Sequence, residues 1–203
     1  MSAPASTQPD SSLSRRSRLL PAVAAGLCWA CALALLLSSQ LEASLAPLAP
    51  LRLIYYGLVL AAALLTFVPF QRRLGLPGLA LEGVGGAALL FYTLAFVPPP
   101  TGWLLALPDL PVYALLALGL FWCASAAALP PIYALGQRLF RERARRYDLR
   151  RARRQAHSAG VLLAVCVLLA GLRALEPIPI ILVTLLLIVV ELLLLSYVEP
   201  AGS

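Results

Sequence analysis

Six apolar stretches fill most of the chain, at residues 19–38, 53–70, 76–97, 110–136, 158–172 and 178–198, and none of them contains a basic residue. A bilayer crossing takes about 20 apolar residues as a helix. A lipid-exposed backbone must satisfy its own hydrogen bonds, so each stretch is expected to be helical. The polar and apolar residues nowhere alternate over the roughly ten-residue segments of a membrane β-barrel. Composition agrees: 61% of the 203 residues are hydrophobic and 12% charged, where an ordinary soluble domain has about 25% charged. Mean hydropathy is +0.88. The expected fold is all-α, a polytopic membrane helix bundle of six transmembrane helices with no separate soluble domain. Residues 1–18, polar and rich in Ser and Pro, read as a disordered tail with too little apolar content to offset ordering. Residues 199–203 read as a short second tail.

Orientation follows from arginine, which supplies all sixteen basic residues. Six spans with the N-terminus inside put Arg15, Arg16, Arg18, Arg72, Arg73 and nine arginines between Arg138 and Arg154 on one side, and only Arg52 and Arg173 on the other. Positive charge stays on the cytoplasmic side, so the expected topology is N-in and C-in. The arginine pair Arg15-Arg16 followed by an apolar run suggests an export signal. That run is longer than the roughly 7 to 15 residues of a signal peptide and no clean A-x-A cleavage site follows, so it reads as the first span. The Ala-, Leu- and Arg-rich usage suggests a bacterial inner membrane.

The basic stretch itself, RLFRERARRYDLRRARRQAH at 138–157, holds nine arginines and two acids. A straight helix rising about 1.5 Å per residue would end some 30 Å from the membrane with no chain left to return. Asp148 is a good N-cap for a helix starting at Leu149. The expected shape is therefore a cytoplasmic helical hairpin at 137–157, between the fourth and fifth spans. An amphipathic helix lying on the headgroups is the alternative, although Leu139, Phe140 and Tyr147 give it only a thin apolar stripe. Arg141, Arg143, Arg145, Arg146, Arg150, Arg151, Arg153 and Arg154 are the candidate binding residues. They suit anionic headgroups, at about 1 kcal/mol per basic residue, or an acidic partner protein, because guanidinium pairs bidentately with carboxylate and phosphate. No nucleic-acid module accompanies them.

Catalytic chemistry has little to stand on. The absence of lysine removes a Schiff base and a P-loop, and a single histidine, His157, cannot pair for haem ligation. No His/Asp/Glu cluster has metal-ligand spacing and no nucleophile motif is present. No cofactor is implied and the chain is not expected to be an enzyme. Cys28-Trp29-Ala30-Cys31 has the spacing of membrane thiol oxidoreductases. It lies mid-span, however, with no second cysteine pair in a loop, and reads as buried small apolar residues.

Two acids remain inside the spans, Glu82 and Glu191, both roughly 7 to 11 Å from the cytoplasmic ends at 1.5 Å per residue. Intramembrane acids face a bundle interior, pair with a base or line a pathway. Here each either reaches an inner arginine such as Arg72, Arg73 or Arg138, or handles a proton or cation. Two functional expectations follow. One is a non-catalytic subunit or scaffold of a membrane complex, using the arginine hairpin to hold lipid or a partner. The other is a small proton- or cation-coupled transporter using Glu82 and Glu191, favoured by Pro69, Pro130 and Pro131 inside spans but lacking any visible inverted repeat.

Overall fold

The computed structural model describes residues 11–38, 49–100, 102, 104, 105, 107, 109–139 and 148–198. The described residues form six α-helices and no strands: α1 (Ser11–Leu37), α2 (Pro50–Leu74), α3 (Leu79–Phe96), α4 (Leu110–Leu139), α5 (Leu149–Gly171) and α6 (Pro177–Val198). All six are long and apolar enough to cross a membrane. The chain is therefore of the kind expected of a multi-pass membrane protein.

Two helices start two turns or more ahead of the apolar stretches they contain. α1 begins at Ser11 rather than Leu19, carrying helix through Arg15, Arg16 and Arg18, which arginine's high helix propensity permits. Residues 1–10 of the expected tail lie outside the described residues. α5 begins at Leu149, nine residues ahead of its apolar stretch, because Asp148 caps it: the Asp148 carboxylate accepts the Arg151 backbone N–H at 3.1 Å. The turn expected between α4 and α5, with Arg141, Arg143, Arg145 and Arg146, lies outside the described residues, as does 199–203.

Helices pack on their chain neighbours, so that α1 lies against α2, α2 against α3, α3 against α4, and α4 against α5. The closest seams use glycine. A Cβ on Gly86 of α3 would land on the Cys123 backbone of α4. One on Gly119 of α4 would lie 2.7 Å from Leu90 N of α3. On α5, a Cβ at Gly160 would lie 2.7 Å from Phe121 O, and one at Gly171 2.7 Å from the Tyr113 ring, both on α4. Small residues let helix backbones approach where lipid and side chain are equally apolar and area burial gives no preference. A core of Phe67, Leu76, Leu79, Ala87, Leu129 and Ala156 spans α2 to α5. A second, formed by Ala32, Tyr55 and Val59, joins α1 to α2.

The α2–α3 turn is set by two left-handed glycines, Gly75 (φ 63°) and Gly78 (φ 85°), a conformation that costs residues with a Cβ. Gly75 ends α2, its N–H donating to Gln71 O. The Gln71 side chain also reaches across the turn, its Oε1 accepting the Ala80 N–H at 2.8 Å. An otherwise orphaned donor in the first turn of α3 is thereby satisfied.

Candidate functional site

The polar side chains of the apolar helices converge where α5 begins. Arg153 donates through Nη2 to the Pro77 carbonyl in the α2–α3 turn, beside Gly78, whose missing side chain leaves room for the guanidinium. The same nitrogen lies 3.9 Å from Glu82 Oε1 on α3. One turn further along α5, His157 Nε2 lies 3.7 Å from Glu82 Oε2, with its ring 5.7 Å from that of Phe121. The i, i+4 spacing of Arg153 and His157 puts both on one face of α5, so one carboxylate meets two bases.

Arg154, the next residue, points elsewhere. Successive residues on a helix are rotated by about 100°, and Arg154 Nε donates to Glu191 Oε1 on α6 at 3.1 Å. The adjacent pair Arg153-Arg154 thus binds α5 to α3 on one side and to α6 on the other. These groups are partly screened, with side-chain exposures of 33% and 25% for Arg153 and Glu82, and 30% and 17% for Arg154 and Glu191. Each acid has its own arginine within 4 Å.

The two intramembrane acids are not brought to one another: Glu82 and Glu191 have different partners on different faces of α5. Both pair with an arginine, but with Arg153 and Arg154 rather than Arg72, Arg73 or Arg138. Of the remaining candidate residues within the described chain, Arg150 is exposed and Arg151 half-buried. His157 is the site residue that a reading of charges alone misses, and its four-residue spacing from Arg153 was the available signal. Among the described residues no three His, Cys, Asp or Glu side chains gather as a metal site. Cys28, Cys31, Cys123 and Cys166 are free thiols.

The opposite end of the helices has its own polar anchors. Arg52 is buried, its guanidinium 5.2 Å over the Phe96 ring; Tyr92 stacks on Phe96, and Tyr56 meets both rings edge-on. Asp109, also buried, accepts the Gly102 N–H through Oδ2 at 2.6 Å.

No protein-family model matches the chain, and neither a curated protein nor a solved structure matches it.

Proposed function

We propose that the chain is an integral multi-pass protein of a bacterial inner membrane that acts as a non-catalytic subunit or scaffold. Its arginine-rich segment at 137–157 faces the cytoplasm and holds anionic lipid or an acidic partner. The observation that supports this reading is the division of labour among the α5 arginines. Arg153 and Arg154 are spent inside the molecule, on Glu82 and Glu191, which fixes the base of the basic segment to two helices. Arg150, one turn before Arg154, is exposed, as a surface for an outside anion requires. The same pairs weigh against proton or cation coupling at Glu82 and Glu191, since each carboxylate already has a cation.

Two measurements test the reading. Impermeant thiol reagents applied from outside should label a cysteine introduced at Thr101 and not one at Arg145; external labelling at Arg145 overturns the orientation. Replacing Arg143, Arg145 and Arg150 by Gln should leave insertion and unfolding temperature unchanged and weaken binding to anionic vesicles or the co-purifying partner in a salt-dependent way, by about 1 kcal/mol per arginine. Arg153 and Arg154 are kept so that the internal anchors survive. Binding indifferent to both salt and substitution overturns the role of the segment.

A further inference from the structure

Away from the basic segment, α1 and α2 part to leave an open cleft of about 310 Å³. Its α1 wall is made of Pro21, Ala22, Ala25 and Gly26, and a Cβ at Gly26 would meet nothing within 4 Å. Leu65, Pro69 and Phe70 form the α2 wall. Both walls carry a proline inside the helix. Neither can donate to the carbonyl four residues earlier, which in α2 is that of Leu65, itself a lining residue. The deep end is closed by a hydrogen bond from Trp29 Nε1 to Thr66 Oγ1 at 3.1 Å. The Thr66 hydroxyl donates in turn to Ala62 O, so the floor has no side-chain donor left to offer a ligand. From Pro21 to Trp29 the cleft is about 12 Å deep at 1.5 Å per residue.

Its mouth is cationic. Arg73 lines the cleft and is exposed, with Arg72 beside it. No acid lines the cleft, and among the described residues no acid pairs with Arg73. This is the reverse of Arg153 and Arg154. A mainly apolar slot about twice the roughly 150 Å³ that holds a benzene ring, with an uncommitted guanidinium at its opening, suits an amphiphile with an alkyl chain and an anionic head. Basic pockets between membrane helices bind lipid phosphates in this way.

We infer that the α1–α2 cleft binds one anionic phospholipid of the surrounding bilayer, with an acyl chain seated between Pro21 and Trp29 and the phosphate held by Arg73. The site is independent of the 137–157 segment and survives if that proposal fails. The chain walls favour any alkyl tail, whereas Arg73 selects the charged head.

The test is native mass spectrometry of the full chain in mild detergent, titrated with phosphatidylglycerol or phosphatidylcholine of the same acyl composition. Wild type should retain one phosphatidylglycerol about fivefold more tightly than phosphatidylcholine. Gly26→Leu places a side chain in the cleft from a position where a Cβ meets nothing within 4 Å, and should weaken retention of both lipids at least tenfold. Arg73→Gln should abolish the preference between them. Gly57→Leu, at an exposed α2 position where a Cβ also meets nothing within 4 Å, should behave as wild type. A second measurement needs no variant: a photoactivatable phosphatidylglycerol should crosslink to the α1 and α2 residues lining the cleft. Retention unaffected by Gly26→Leu, no discrimination by wild type, equal loss in Gly57→Leu, or crosslinks confined to other helices would each overturn the assignment. So would equally tight uptake of a neutral long-chain quinone.

Discussion

α4 and α6 are both strongly apolar helices, and the more apolar one is the less buried. α6 has a mean hydropathy of 2.8 over its spanning window against 2.0 for α4, yet none of that window is buried in the protein, compared with 28% for α4. The difference lies in side-chain size. α4 and its neighbours α3 and α5 carry Gly86, Gly119, Gly160 and Gly171 at their seams. α6 contains no glycine or alanine and is built from Leu, Ile and Val. In water, burying leucine drives association at about 25 cal/mol per Å². In lipid that term vanishes, and close backbone approach and polar pairs decide which helices adhere. α6 accordingly leans on α5 through the Arg154–Glu191 pair and a shallow groove that includes Ser158 and Thr184.

The contrast can be broken most severely at a seam. Gly160→Leu forces a side chain into Phe121 and Ser125 and should cost about 3 kcal/mol or more, at the upper end of overpacking effects. A large drop in unfolding temperature in detergent, with loss of a monodisperse species, is the expected readout. Next in size is the pair that holds α6. Glu191→Gln leaves Arg154 without its anion and should cost about 2 kcal/mol, below the roughly 3–5 of a fully buried pair because both side chains keep some exposure. The double variant Arg154→Gln/Glu191→Gln should cost less than the two single changes added, with a coupling of about 1 kcal/mol. Strict additivity would mean the pair does not hold α6. Smallest of all, Leu185→Ala and Leu193→Ala on the exposed faces of α6 should each move stability by less than about 0.5 kcal/mol. If either rivals Gly160→Leu, α6 is a packed helix and the contrast fails.

Segment lengths and apolar content are enough to find all six helices, and Asp148 is recognisable as a cap because its role is local. What could not be read was pairing between distant residues. For Glu82 the sequence offers several inner arginines, Arg72, Arg73 and Arg138 among them, and choosing its partner requires knowing that α5 lies against α4 and reaches the α2–α3 turn. That arrangement depends on glycine seams, whose partners a single sequence does not name. The early start of α5 was readable along with the Asp148 cap, a helix being expected from Leu149. Its first turns are arginine-rich and look like loop by hydropathy, although arginine is a good helix former. The α1–α2 cleft was invisible, since Pro21 and Pro69 matter there only by facing the same gap.

The splayed arginines also impose an order in time. Pro77 and Arg153, which meet at the α2–α3 turn, are 76 residues apart, and Arg154 precedes Glu191 by 37. At synthesis rates of about 5–20 residues per second, the α3 side of this junction waits roughly 4–15 s for its guanidinium. Glu191, by contrast, emerges when its own has been in place for about 2–7 s. Glu82 is therefore made before its cation, and Glu191 after its own. A ribosome stalled between residues 100 and 150 would leave α3 as the exposed liability of the nascent chain.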